Sequence, residues 1–304
     1  MSLPEQLRFA FADAVPLAAV CEAFNHGFSD YKYGVQFDET QMERFLERSG
    51  VLRENSAVML ARGEHGWHGA GLALMGLDGK GHAWCSGLAV VPALRNHGHA
   101  RTLIEMIQQK AIERGAASMQ LEVLVHNKPA LHLYRRLGYT ARRDLIFWRA
   151  TPDTHISSPA AGDLTAANPA DILDTLYRWQ TEPPAWQRTQ RSVERYLSDL
   201  WGYVMLSGGE PSGYVACLPT APTEPGKPRV RIMAMAVHPD DDRAALASRL
   251  VASLRAHLPD TTISIINEPE TSLFAPALVA NGFDEVDRQI EMWLDLSDYP
   301  RNSS

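Results

Sequence analysis

The twelve residues Val90–Arg101, VVPALRNHGHAR, close a short apolar run and open a polar one holding two arginines, two histidines and a glycine, with no carboxylate among them. They read as the end of a strand, a turn and the first turn of a helix. The first N–H groups of a helix have no partner within it, and its dipole leaves partial positive charge at that end, so an anion is stabilised there. Gly98 lets the backbone approach a ligand with no side chain between. Arg95 and Arg101 add full charges and forked donors suited to phosphate oxygens. A basic helix start with one glycine is also what a solvated cap looks like, so the stretch gains meaning only from its surroundings.

On both sides of this stretch, the first half orders its elements as two helices (PLAAVCEAFNHGF, then DETQMERFLER with Asp38 or Thr40 as cap), three strand-like runs (SAVMLAR, GAGLALMGL, AWCSGLAVV), the helix ARTLIEMIQQKAIERG, a strand SMQLEVLV, the helix PALHLYRRLGY and a last strand DLIFWRA. The second half repeats the plan with PADILDTLYRWQ, RSVERYLSDL, GYVMLSG, SGYVACL, RIMAMAVHP, ALASRLVASLRAHL, TISII, LFAPALVANGF and IEMWLDL. Pro92 to Gly138 spans 46 positions and Pro239 to Gly282 spans 43, and Trp148 and Trp293 follow those glycines by 10 and 11. Such spacings mark an internal duplication. The expected organisation is a domain over residues 1–150, a Pro/Ser/Thr/Ala-rich stretch 151–167 that links the halves or runs across both, and a domain over 168–304, each an α/β unit with a mixed sheet.

The bulk numbers agree. At 304 residues the chain is long for one core, and 45% apolar with 21% charged residues is ordinary for folded domains. A net charge of −7 argues against nucleic acid as a partner, since neutralising phosphates needs a dense basic surface. Three scattered cysteines form no CxxC pair, and no apolar run approaches membrane-spanning length. A cytoplasmic protein without metal, nucleic-acid or membrane partners is the expectation.

The pattern V-x-P-x-x-R-x-x-G-x-A over Val90, Pro92, Arg95, Gly98 and Ala100 resembles the pyrophosphate loop of the GNAT acetyltransferase superfamily. Asn96 stands where a glycine is usual, and asparagine is among the residues that best tolerate left-handed backbone. Further on, LEVLVHNKPALHLYRRLGY resembles the family's second signature: a strand carboxylate, Glu122, an asparagine five later, Asn127, and a tyrosine seven beyond, Tyr134. The resemblance covers roughly residues 8–150. It implies two tandem GNAT-like domains, acetyl-CoA as co-substrate and N-acetyl transfer to an amine. It also implies a coenzyme site built from Leu88, Ala89, Val90, Arg95, Asn96, His97, Gly98, His99, Ala100, Arg101 and Asn127.

The same resemblance gives Tyr134 as the acid that protonates the departing thiolate and Glu122 as the acceptor of the amine's proton, directly or through water. Tyr134 also has the helical spacing of a core residue with Leu131 and Leu137, and Glu122 that of a solvated strand residue. His97, His99, His126 and His132 crowd the region without carboxylate support for a metal. Asn25–Gln36 (NHGFSDYKYGVQ) falls where the family's acceptor pocket lies, and there Phe28, Tyr31, Tyr33 and Asp30 frame an amine or simply pack. The alternative to an enzyme is an acyl-CoA-binding sensor without catalysis.

The second half lacks these parts. Placing Val237-His238-Pro239 on Val90-Val91-Pro92 sets Asp242 at Arg95, Arg243 at Asn96 and Ala245 at Gly98, while Leu278 stands four before Gly282 as Tyr134 does before Gly138. A carboxylate about 5 Å from a phosphate charge costs roughly 3 kcal/mol at an effective dielectric near 20. The second half therefore reads as a degenerate copy.

Overall fold

A computed structural model describes residues 6–34, 36–154, 164–222, 227–240 and 242–297. In chain order the elements are β1 Leu7–Phe11, α1 Leu17–Gly27, α2 Glu39–Ser49, β2 Ala57–Gly63, β3 Gly66–Leu77, β4 His82–Val90, α3 His99–Glu113, β5 Ser118–Leu124, α4 Lys128–Arg136 and β6 Thr140–Ala150. There follow β7 Leu164–Ala167, α5 Pro169–Trp179, α6 Gln190–Glu194, β8 Trp201–Ser207, β9 Glu210–Thr220, β10 Arg229–Val237, α7 Arg243–His257, β11 Thr262–Pro269, α8 Ala275–Ala280 and β12 Asp284–Asp295. Both halves are mixed α/β, as the periodicity predicts.

Packing divides the chain into two compact units, each built of more than one stretch of sequence. One unit runs through Val123 and takes in Asn127–Arg142 and the residues from Met292; the other holds Leu124–His126 and Arg143–Glu291. Hydrogen bonding sets this. Leu145–Ala150 of β6 pair antiparallel with β11, while Leu296 N–H donates to the Ala117 carbonyl at 2.8 Å. Each unit thus completes itself with the closing strand residues of the other half, which periodicity alone does not disclose. Of the expected linker, Leu164–Ala167 is a strand paired with β8, and 155–163 lie outside the described residues. The edge strand β1 is a further element that the sequence pattern does not announce.

In the first unit the strand order is β1-β2-β3-β4-β5, antiparallel up to β4 and parallel between β4 and β5. Asp38 caps α2 in a reciprocal box with Gln41, an arrangement that contributes about 1 kcal/mol. Helix α1 lies so close on β3 that a Cβ on Gly69 would sit 1.9 Å from the Ala19 carbonyl oxygen. Only glycine fits there. Val20, Met42, Leu46, Val58, Leu72 and Leu74 fill the core beneath α1 and α2.

The second unit has the order β6-β11-β10-β9-β8-β7. One face of its sheet is covered by a core around Val237, Leu250 and Phe283, the other by Leu176, Met233 and Ala236.

The two units can be matched residue by residue through their internal bonding. Tyr139 N–H donates to the Tyr134 carbonyl at 3.0 Å, and Phe283 N–H to the Leu278 carbonyl at 3.0 Å. Gly138 and Gly282 both have positive φ, 88° and 76°. Leu278 therefore holds the place of Tyr134. The parallel strands pair over three positions each, His82–Trp84 with Ser118–Gln120 and Arg229–Arg231 with Thr262–Ser264. Each central strand then carries a one-residue bulge, at Ser86 and at Met233.

The loop before the helix is where the matching by sequence fails. Between Val90 and α3 lie eight residues, Val91–Gly98, whereas between Val237 and α7 lie five, 238–242. Asp242, not Ala245, occupies the position of Gly98, and its carboxylate accepts the Ala245 N–H at 3.2 Å. The second loop is shortened and its helix end is capped by the chain itself.

Candidate active site

Strand β4 parts from β5 beyond Trp84 and Gln120, and the bulge at Ser86 bends it away. Antiparallel ladders turn both backbone groups of alternate residues to the same side. Val91 N–H donates to the Ala70 carbonyl on the β3 side at 2.9 Å, so Ala89 also faces β3 while Leu88 and Val90 face the opening. Of the expected edge Leu88–Val90, Ala89 is thus turned away, and the Val90 carbonyl is taken by Arg95 Nε at 2.9 Å. Leu88 keeps both groups toward the opening.

The turn that follows is built for an anion by its backbone. A single 3-10 turn, Pro92–Leu94, leads to Asn96 at φ 67° and Gly98 at φ 86°. Asn96 takes the left-handed geometry expected of it. A Cβ on Gly98 would meet nothing within 4 Å, so glycine serves there for its φ alone. Among the described residues, the N–H groups of Asn96, His97, Gly98, His99 and Ala100 donate to no acceptor, giving five consecutive free donors at the start of a fifteen-residue helix. The rings of His97 and His99 stand 6.0 Å apart, and burial first, then His97, holds the His99 imidazole below its usual pKa.

The two arginines do not lie free beside these donors. Arg95 makes a fork on Asp30, Nη1 to Oδ2 at 2.6 Å and Nη2 to Oδ1 at 2.8 Å, and gives a further bond to the Gly27 carbonyl at 3.0 Å. With Nε on Val90, four of its five donors are spent, so it ties the loop to the end of α1 instead of standing open to phosphate. Asp30, whose carboxyl this hydrogen bond from Arg95 lowers, is likewise not a free anion for an amine. Arg101 pairs with Glu105 along α3 at 2.8 Å. Asn127 caps α4, its Oδ1 accepting the Ala130 N–H at 3.3 Å, which leaves only its amide N–H₂ for a ligand.

Around the opening, a Cβ on Gly27 would lie 2.8 Å from the Ala89 Cβ, and one on Gly87 would lie 3.5 Å from the Phe28 ring. Phe28 and Tyr31 pack edge to face at 5.5 Å, and Tyr31 is near enough to Tyr134 to act on its phenol. Tyr134 is buried against Tyr139, ring centroids 5.6 Å apart, and its hydroxyl has no partner among the described residues. Burial above all, with Cys85, Tyr139 and Tyr31, pushes that phenol well above its usual pKa. Burial likewise pushes the Cys85 thiol up to about 12.

Glu122 on β5, two residues past the last paired rung of Trp84 with Gln120, accepts the Trp84 indole N–H at 2.8 Å. The indole fixes a carboxylate at the point where the strands diverge. Trp84 and the bulge at Ser86 are site elements that sequence reasoning missed: neither belongs to a motif, and only the strand register brings them together. Among the described residues no group of three His, Cys, Asp or Glu side chains is placed to hold a metal, and no helix is long and apolar enough to cross a membrane.

This is the architecture of an acyl-coenzyme A transferase domain. Residues 18–139 match the family model described as the acetyltransferase (GNAT) family. Over its whole length it has the fold of tandem GNAT proteins. A tandem GNAT protein from the clavulanic acid biosynthesis pathway is 14% identical, with 97% of this chain and 100% of that one aligned at a TM-score of 0.65. A GCN5-related N-acetyltransferase from Sphaerobacter thermophilus is 16% identical, with 97% of each chain aligned at 0.64. The Saccharomyces cerevisiae N-myristoyltransferase is similar as well, at 10% identity and a TM-score of 0.59 over 97% of this chain and 84% of that one.

Proposed function

We propose that the first domain, assigned to residues 1–150, is an acetyl-CoA-dependent N-acetyltransferase that passes the acetyl group directly to an amine, with residues 168–304 as its degenerate GNAT-like companion. The observation that carries this reading is the run of five unpartnered N–H groups, Asn96 to Ala100, at the start of α3, just past the end of β4 that has parted from β5. Acetyl-CoA supplies an acyl group activated as a thioester. The residues fit it: the N–H run takes the pyrophosphate and Leu88 pairs with the amide arm. Tyr134 holds a proton that it gives to the leaving sulfur. Glu122, oriented by Trp84, accepts the proton that the amine must lose. The three cysteines are buried free thiols, which is in keeping with a reducing cytoplasm as its location.

Thiol release from acetyl-CoA, followed against aminoglycosides, polyamines and peptide N-termini, tests the reading. Coenzyme binding without turnover on any amine favours a sensor instead.

Two results are expected at the loop. Gly98→Glu places a carboxylate among the phosphate donors and forces a residue with Cβ to φ 86°, and Arg95→Ala frees the loop from α1. Each disturbs the N–H groups that would hold the phosphates and is expected to raise the acetyl-CoA Kd about tenfold or more, the scale of hydrogen bonds to a charged group. Unchanged Kd in calorimetry for both removes the loop from the site. Equilibrium dialysis is expected to find one acetyl-CoA per chain, because the second loop is short and self-capped; a second equivalent site would make the second unit active.

A further inference from the structure

The second unit keeps the parted strands but fills the gap itself. Arg188, from the 3-10 turn Trp186–Arg188, donates through Nε to the carbonyl of the bulged Met233 at 3.1 Å and pairs through Nη1 with Glu268 of β11, both side chains buried. Glu268 also accepts the Ser272 hydroxyl. The space between β10 and β11, which in the first unit is open beyond the bulge, is here bridged by a guanidinium.

In front of this bridge lies a half-open cleft lined by Trp179, Met235, Arg243, Phe274 and the Arg188–Glu268 pair. His238 N–H donates to the Ser212 carbonyl on the β9 side at 3.0 Å, so the ladder turns the N–H and C=O of Met235 away from β9. Arg243 donates to the Trp179 carbonyl at 2.7 Å, and its Nε is buried with no acceptor. The nearby described carboxylates are committed elsewhere: Glu268 to Arg188 and Ser272, Glu182 to Thr271 at 3.1 Å and Asp242 to the Ala245 N–H. Among the described residues, Arg243 is the one guanidinium of the pocket wall with no carboxylate on it. A buried N–H donor without an acceptor costs free energy that a bound acceptor restores.

We propose that this pocket binds a small carboxylate that also carries an amide, the chemistry of an N-acylamino acid. The carboxylate sits on Arg243, the amide pairs with the backbone of Met235, and the side chain rests on Trp179 and Phe274. A pyrophosphate is excluded by the short, self-capped turn, and a long acyl chain by Arg188. The site is independent of the acetyl-transfer reading of the first unit.

Calorimetric titration of the full-length protein with N-acetyl-L-alanine tests it. Saturable binding of one molecule per chain is expected, retained when the protein is saturated with acetyl-CoA. Arg243→Gln is expected to weaken it by about tenfold or more, the effect of losing a charge-assisted bond. N-acetyl-L-alanine amide, which lacks the charge, is expected not to bind. As a readout that does not depend on the variant folding, the methyl signal of Met235 in methionine-labelled wild type, assigned through Met235→Leu, is expected to shift on titration. Absence of binding, equal binding of the amide, unchanged affinity in Arg243→Gln, displacement by acetyl-CoA or a silent Met235 signal would each overturn the proposal.

Discussion

Tyr134→Phe is expected to lower kcat by about a hundredfold or more while the acetyl-CoA Kd stays where it was. The ring sits buried against Tyr139, so phenylalanine fills the same volume and the fold is untouched. What goes is one proton, on a hydroxyl that no other described residue engages. General acid catalysis contributes about 10²–10⁴-fold. Because burial raises this phenol well above its usual pKa, the proton is present throughout the working range, and the activity is not expected to fall as pH rises through 10 on account of Tyr134. Single-turnover kinetics with acetyl-CoA and any accepted amine, set beside calorimetric binding, is the measurement. A steady kcat with chemistry rate-limiting would return Tyr134 to the core with Leu131 and Leu137.

The second large effect lies in the other unit and concerns stability. Glu268→Ala leaves the Arg188 guanidinium buried with only the Met233 carbonyl, and breaking a buried pair from one side costs about 3–5 kcal/mol. For a unit of this size that is on the order of 10 °C in melting temperature. Replacing both partners, Arg188→Met with Glu268→Leu, removes the stranded charge, and most of the loss is expected to be recovered. Differential scanning calorimetry of the single and double variants decides it. A single variant that melts with wild type would mean that water reaches Arg188 and the pair is not the bridge described.

Much of the site was legible because its demands are local. A turn that needs positive φ at two places admits few residues, and Asn96 and Gly98 are among them. The equivalence of Tyr134 and Leu278 was legible because each helix ends on a glycine at fixed distance, and the matching N–H bonds of Tyr139 and Phe283 bear it out. What escaped reading depends on partners far along the chain. That Arg95 is consumed by Asp30, that Trp84 aims Glu122 and that Arg188 reaches Glu268 are facts of register and packing, and no spacing in the sequence records them. The three-residue shortening of the second loop was hidden for the opposite reason: Val237-His238-Pro239 imitates Val90-Val91-Pro92 well enough to impose a false alignment on the turn and helix start beyond it.

The traded closing strands set a timetable for synthesis. Leu296, which bonds to Ala117 in the first unit, leaves the ribosome long after that unit's other strands have been made. Domains of many multidomain proteins fold in turn as they emerge. Here the first unit lacks its closing residues, Met292 onward, until the second half has been translated as well.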